Sequence, residues 1–171
     1  AAALAPGRHD ALVSVSWDGP DAGTEVLPVS LLVGERTRRY FFPLDNNPGW
    51  DTEGDWAWGV PEGRGGEDGD PDPTSGATGT HVYGYNLSGD YDDQMRAKDL
   101  TTRPLDMTNL EGTELRFERW LGVEEGSYDH AVISVSTDGD SWTTVWENTA
   151  EVDDGRWVEQ SVDISAVADG A

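Results

Sequence analysis

Residues 112–148 read GTELRFERWLGVEEGSYDHAVISVSTDGDSWTTVWEN, and this stretch decides the fold class. Apolar and polar residues alternate in LRFE at 115–118 and again in ISVS at 133–136. A period of two is typical of strands with one buried face. An Asp-Gly pair at 138–139 supplies a tight turn before the run WTTVW at 142–146, because glycine tolerates a positive φ. The stretch therefore predicts three successive strands, the last two joined as a hairpin.

The rest of the chain carries the same kind of pattern. Its 21 glycines and nine prolines separate short runs that are rich in valine, threonine and tryptophan. No run repeats apolar residues at the three- and four-residue spacing of a helix for more than a turn or two. With 171 residues the chain is long enough to bury one good core. The sequence predicts an all-β protein.

The charge of the chain excludes two classes of function. There are 34 acidic and 11 basic residues, which gives a net charge of −23. Such a molecule is repelled by nucleic acids and by anionic membranes. No apolar run reaches the roughly 20 residues that cross a bilayer, and the absence of cysteine excludes disulfides and thiolate metal sites. Two explanations of the acidity stay open, namely solubility in salty surroundings and the binding of cations.

The N-terminal part predicts a separate hairpin. The runs ALVSVSW at 11–17 and TEVLPVSLLV at 24–33 are joined by the turn sequence DGPDAG. The second run resembles the closing strand of the immunoglobulin-like domains of bacterial secreted proteins. We therefore interpret residues 1–35 as the end of a preceding Ig-like β domain, or as a hairpin appended to the main domain. The main domain is expected to cover residues 36–171.

A series of motifs in the main domain carries a resemblance to a known family. In chain order they are WAWGVP at 56–61, DPTSGATGTHVYGYNLSGDY at 72–91, LTTRPLDM at 100–107, LRFERWLGVE at 115–124, YDHAVISVSTDGDSWTTVWEN at 128–148, Trp157 and VDISAVADG at 162–170. Together they resemble the MAM-like, or immune inhibitor A-like, β-jelly-roll modules of secreted bacterial peptidases. The resemblance implies a two-sheet jelly-roll sandwich, a secreted and extracellular location, often a structural Ca²⁺ ion, and no catalysis by the module itself.

The same resemblance raises an expectation about the end of the chain. Modules of this family usually continue through one more strand after the segment that matches VDISAVADG. We therefore expect residues 36–171 to lack the last strand of the sandwich. Open sheet edges recruit other strands, so we expect this edge to be filled by the N-terminal hairpin, by another domain of the parent protein or by a neighbouring chain.

One candidate calcium site is local. Asp68, Asp70 and Asp72 alternate within EDGDPDP, where a short loop can direct several carboxylates at one ion. Ca²⁺ takes six to eight oxygen ligands at about 2.3–2.6 Å. The spacing does not match an EF-hand, and the alternative is a solvated acidic loop.

A second candidate calcium site combines residues that are far apart in sequence. A jelly roll brings its first and last strands together, so an early acidic residue and a late one can meet, with carbonyls of a glycine turn completing the shell. The alternatives are a turn cap through Ser165 for Asp163 and an Asx-turn for Asp90. The residues of this site are Asp45, Asp90, Asp93 and Asp163.

The tryptophans fall into two groups. Trp120 and Trp142 lie within or beside predicted strands, which predicts that both are buried. Trp50, Trp56 and Trp58 cluster in a polar, glycine-rich region, where they either form a sugar-stacking platform or fix a long loop onto the sandwich.

The sequence contains no constellation typical of an enzyme. Asp129 and His130 adjoin a serine-rich strand, but no glycine-flanked serine elbow accompanies them. We therefore predict a non-catalytic, extracellular accessory module of a larger secreted protein such as a peptidase, stabilised by Ca²⁺ and mediating protein contacts. The alternative is a carbohydrate-binding module with a polysaccharide partner.

Overall fold

The computed structural model describes residues 4–34, 36–66, 70–92 and 95–171. Within these ranges the chain forms twelve strands and one helix of four residues, so the all-β prediction is confirmed. None of the described helical structure has the length and apolarity needed to span a membrane. The chain divides into two compact units, Ala1–Phe41 and Phe42–Ala171.

The first unit contains a long hairpin. Strands β1 (Gly7–Trp17) and β2 (Gly23–Val33) pair antiparallel over their whole length. At the closed end the Trp17 indole N–H donates to the Asp21 carbonyl at 2.7 Å, which fixes the ring across the turn. The hairpin predicted from the sequence is present, and its first strand begins earlier than the pattern indicated.

One face of the hairpin is mainly apolar, and the other mixes polar side chains with Leu12 and Val26. On the mixed face the hydroxyls of Ser16 and Thr24 are hydrogen-bonded at 2.9 Å. On the other face Val13 lies opposite Leu27 and near Val29, and these side chains are 46%, 43% and 44% exposed. A two-stranded hairpin with an exposed apolar face is marginally stable by itself. The origin of this unit as part of an Ig-like domain stays a prediction.

The second unit consists of short antiparallel pairs. Its elements are β3 (Asp51–Thr52), β4 (Trp56–Gly59), β5 (Val82–Tyr85), β6 (Leu100–Thr101), β7 (Glu114–Arg119), β8 (Gly122–Val123), β9 (Val132–Val135), β10 (Thr143–Glu147), β11 (Val152–Asp153), β12 (Val158–Asp163) and α1 (Ser165–Ala168). The pairing is nested: β3 with β6 around β4 with β5, and then β7 with β12, β8 with β11 and β9 with β10. Each group is therefore a ribbon that folds back on itself. The arrangement of these ribbons as a jelly roll stays a prediction.

The Asp-Gly turn forms the hairpin that the sequence predicts. It joins β9 to β10, and Gly139 adopts a φ of 80°. The Asp138 carboxylate accepts the backbone N–H groups of Ser141 at 2.7 Å and Asp140 at 2.8 Å. The hydrogen bond from Ser141, followed by that from Asp140, lowers the pKa of Asp138 from 3.8 to about 2. The carboxylate thus closes the turn as an ion.

The predicted burial of Trp142 is wrong. Its side chain is 51% exposed and precedes β10 at the end of the hairpin. A β-bulge between Thr144 and Trp146 interrupts the alternation, so the face that Trp146 occupies does not extend to Trp142. Trp120 is half-buried, with its ring 5.7 Å from that of Trp157 in an edge-to-face pair. The buried core of the described structure includes Val82, Val123, Ile164 and Ala168, which are 4–8% exposed.

The end of the chain is tied to the start of β7. The Asp169 carboxylate accepts the backbone N–H groups of Gly112 at 2.8 Å and Thr113 at 3.0 Å. The Asp163 carboxylate accepts the N–H of Ser165 at 2.9 Å, so the turn-cap alternative for Asp163 is confirmed. Among the described strands β12 has β7 as its ladder partner, and the expected further strand stays a prediction.

Candidate functional site

Asp45 lies against a glycine loop. Its carboxylate is close enough to Gly79 that a side chain there would collide with it. In the same loop the carbonyl oxygens of Thr78 and His81 converge, since each lies 2.8 Å from the position that a Cβ of Gly76 would take. The sequence predicted that an early acid and a late one meet, with the carbonyls of a glycine turn completing the shell, and Asp45 lies at such a turn. Carboxylate and carbonyl oxygens are the ligands that Ca²⁺ prefers.

The backbone that presents Asp45 is held in an unusual conformation. Leu44 has a φ of 63°, which is costly for a residue with a branched side chain. The Trp58 indole N–H donates to the Leu44 carbonyl at 2.9 Å and holds this turn in place. Trp58 itself stacks on His81, with ring centroids 4.2 Å apart. The carboxylate and the glycine loop are therefore fixed by the same tryptophan.

Asp72 and Asp90 form a second acidic pair, although the sequence assigned them to different candidate sites. The Asp72 carboxylate accepts the N–H of Gly65 at 3.1 Å, and the Asp90 carboxylate accepts the N–H of Gly66 at 2.7 Å. Burial raises the pKa of Asp72, and the charge of Asp90 raises it further. Two neighbouring carboxylates of this kind favour a bound cation, because the cation relieves their repulsion.

The other predicted ligands lie elsewhere. Asp70 packs against Gly155, and its backbone N–H donates to the Asp153 carboxylate at 2.7 Å. Asp163 caps the turn before α1. Asp68 and Asp93 fall outside the described residues. Within the described ranges no group of three or more acidic or histidine side chains is placed to hold a metal ion, and the calcium site stays a prediction.

The three tryptophans of the proposed sugar platform are each packed against another ring. Trp50 stacks on Tyr83 with centroids 4.9 Å apart and an interplanar angle of 7°. Trp56 meets Tyr85 edge to face at 5.8 Å, and Trp58 stacks on His81. The Trp56 indole N–H donates to the backbone carbonyl of Lys98 at 2.9 Å. These contacts favour the alternative in which the rings fix loops onto β4 and β5, and carbohydrate binding stays a prediction.

The sequence did not reveal an ion pair beside these sites. Arg119, at the end of β7, donates from Nε to Asp154 at 2.7 Å and from a terminal nitrogen at 3.1 Å. The side chains are 17% and 9% exposed, and the guanidinium lies 5.5 Å from the centre of the Trp146 ring. The Asp154 carboxylate also accepts the N–H of Leu121 at 3.1 Å. The residues are 35 positions apart, so only the nested pairing of β7, β8 and β11 brings them together.

The sequence also gave no sign that the side-chain amide of Asn148 is buried. Asn148 is 5% exposed and follows β10. Its side-chain nitrogen donates to the carbonyls of Glu124 at 2.9 Å and Asp129 at 3.0 Å, and its oxygen accepts the N–H of Ala131 at 2.8 Å. Asparagine in a polar loop carries no signal for burial, because its partners are backbone groups that any sequence supplies.

Asp129, the residue before His130, is hydrogen-bonded to a tyrosine in another loop. The Tyr91 hydroxyl donates to the Asp129 carboxylate at 2.7 Å, which ties the segment after β5 to the loop before β9. Asp129 also supplies a backbone carbonyl to the buried Asn148. Its surroundings therefore serve to join two loops of the module.

The fold and these contacts define a strongly acidic, all-β module whose loops are fixed by tryptophans and carboxylates. No protein-family model matches the chain, and no solved structure matches it. The chain is similar to Bacillopeptidase F of Bacillus subtilis (strain 168), with 29% identity over 118 residues. The match covers 67% of this chain and 7% of Bacillopeptidase F, so the chain spans a small part of that protein.

Proposed function

We propose that the chain acts as a non-catalytic, extracellular accessory module of a larger peptidase. The observation that carries the proposal is the similarity to a small part of Bacillopeptidase F, a protein whose name denotes a peptidase. A segment that corresponds to 7% of a protein fits a module better than a complete enzyme. The bonding of Asp129 to Tyr91 supports the non-catalytic part, since this acid joins two loops of the module.

The stabilising contacts support a role in binding and in holding other domains. Loops in the second unit are fixed by hydrogen bonds between residues far apart in sequence, such as that from the Trp56 indole N–H to the backbone carbonyl of Lys98. A rigid surface of this kind loses little entropy when it contacts a partner. We propose that the partners are other domains of the parent protein.

The first experiment separates a module from an enzyme. Residues 1–171 alone are expected to hydrolyse no fluorescent casein, with a purified subtilisin-like peptidase as the positive control. In the longer peptidase, unfolding of this module by Asp154→Ala is expected to shorten the half-life of activity at elevated temperature. Trp142→Ala, which changes an exposed side chain, is the matched control. Turnover by the isolated chain, or a half-life that Asp154→Ala leaves unchanged, would count against the proposal.

We further propose that Ca²⁺ stabilises the module. Asp45 and the carbonyls of Thr78 and His81 would hold one ion, and the pair Asp72 and Asp90 offers a second place. Both groups present only oxygen ligands, as Ca²⁺ requires. Bound there, the ion would cross-link loops that are distant in sequence.

Calcium is expected to raise the melting temperature by about 5–10 °C. At free Ca²⁺ a hundredfold above Kd, binding to the folded state contributes about 2.7 kcal/mol, which shifts the melting of a chain of this size by that amount. Differential scanning calorimetry at low ionic strength, with chelator and then with Ca²⁺, measures the shift. Asp45→Asn should reduce it, whereas Asp18→Asn makes the same change in charge in the exposed turn of the first unit and should not. A melting temperature that moves by less than about 1 °C on adding Ca²⁺ would rule the proposal out.

A further inference from the structure

The positive charge of this acidic chain is concentrated in one short segment. Three of its 11 basic residues lie at positions 36, 38 and 39, in the sequence RTRRYF at 36–41. We call residues 36–41 the arginine segment. It contains neither helix nor strand, and Arg36, Arg38 and Arg39 are all exposed. The other eight basic residues are spread over the rest of the chain.

The arginine segment lies outside every strand pairing in the described structure. The hairpin of β1 and β2 ends at Val33, and the ladders of the second unit begin at Asp51. The two compact units meet in the sequence at Phe41 and Phe42. A break in the backbone between residues 36 and 41 would therefore remove no ladder hydrogen bond from either unit. Exposed loops of this kind are the preferred sites of proteolysis.

Among the described residues, the two adjacent arginine side chains contact aromatic rings of the same segment. The Arg38 guanidinium lies 4.3 Å from the centre of the Phe41 ring, and that of Arg39 lies 5.6 Å from the Tyr40 ring. Cation–π contacts at exposed sites are weak, so an enzyme pocket can replace them. Arg119, by contrast, is held in a largely buried ion pair at the end of β7.

We propose that the peptide bond between Arg39 and Tyr40 is a processing site for a peptidase that recognises paired arginines. Carboxylates in the pockets of such an enzyme bind the guanidinium groups of Arg38 and Arg39 by paired, charge-assisted hydrogen bonds. A water oxygen adds to the carbonyl carbon of Arg39, the C–N bond breaks, and the nitrogen of Tyr40 takes the proton. The products are residues 1–39, which contain the hairpin, and residues 40–171. This inference rests on the arginine segment and is independent of the accessory role proposed above.

The test is limited proteolysis of the intact chain. Residues 1–171 are incubated with low concentrations of trypsin and, separately, of a kexin-type peptidase specific for paired basic residues. Intact-mass spectrometry and N-terminal sequencing follow the products. We expect both enzymes to produce Tyr40 as the first new N-terminus. A first cut elsewhere by trypsin, or no cut by the kexin-type enzyme, would overturn the proposal.

Two variants with the same change in charge sharpen this test. Arg38→Gln with Arg39→Gln is expected to slow the cut before Tyr40 at least tenfold. Arg96→Gln with Lys98→Gln alters two exposed basic residues in another loop and is expected to leave the rate unchanged. Equal rates for the two variants would show that the arginine segment is not what the enzymes recognise.

A measurement on the product distinguishes processing from damage. After cleavage, residues 40–171 are expected to retain their circular dichroism spectrum and a single cooperative melting transition. A product that loses its β-sheet signal would overturn the proposal, because a processing site has to leave the larger unit folded.

Discussion

Asp154→Ala is expected to destabilise the second unit by about 3–5 kcal/mol, because it leaves a largely buried guanidinium without its counter-charge. Arg119 is 17% exposed and gives two hydrogen bonds to Asp154, at 2.7 and 3.1 Å. The substitution also removes the acceptor for the N–H of Leu121. Urea unfolding followed by tryptophan fluorescence measures the change, provided the slope of the transition is preserved.

The control for this prediction is an exposed ion pair. Glu62 and Arg64 approach to 3.3 Å, but their side chains are 51% and 69% exposed. Glu62→Ala is therefore expected to cost at most about 1 kcal/mol. Combining Asp154→Ala with Arg119→Met should recover part of the lost stability, since no buried charge is then left unpaired. A loss below about 1 kcal/mol for Asp154→Ala alone would show that the pair is hydrated.

Local patterns in the sequence were sufficient to predict the hairpins. The Asp-Gly turn at Asp138 and Gly139 joins β9 to β10 as expected, and the alternating runs on either side of residues 18–22 form β1 and β2. Each of these hairpins depends on residues that are close in sequence. The turn residues set the reversal of the chain, and the alternation of side chains sets the strands on either side of it. The bulge after Thr144 was not visible in the same pattern, and it is the reason that Trp142 is exposed.

Contacts between distant residues were predicted only in part. The sequence grouped Asp72 with its neighbours in the acidic loop, whereas the structure pairs it with Asp90 beside Gly65 and Gly66. The expected approach of Asp45 to a glycine turn is found at Gly79, but Asp163 caps a local turn instead of joining it. Charge and spacing indicate which residues bind cations in principle, while the nesting of the ribbons determines which of them meet.

The same nesting explains the residues that the sequence did not single out. Because β7 pairs with β12 and β8 with β11, the end of β7 lies beside the residue that follows β11. Arg119 and Asp154 therefore meet, although each stands in a segment rich in other charges. An ion pair in such a segment has no sequence signature until the register of both ladders is known.

Trp120→Ala is expected to cost about 3 kcal/mol, at the lower end of the range for the loss of a large aromatic side chain because this ring is half-buried. The ring packs edge to face on Trp157 at 5.7 Å, and its indole N–H is buried without a hydrogen-bond partner among the described residues. Trp120→Phe keeps most of the packing and removes that buried donor, so it should cost less than about 1 kcal/mol or stabilise the fold.

Trp142→Ala is the control for this prediction, because it removes a side chain that is 51% exposed and should change stability by no more than about 0.5 kcal/mol. Urea unfolding followed by circular dichroism measures all three without relying on tryptophan emission. Equal losses for Trp120→Ala and Trp142→Ala would show that Trp120 does not contribute to the core, whereas a loss for Trp120→Phe as large as that for Trp120→Ala would show that the indole N–H has a partner in solution.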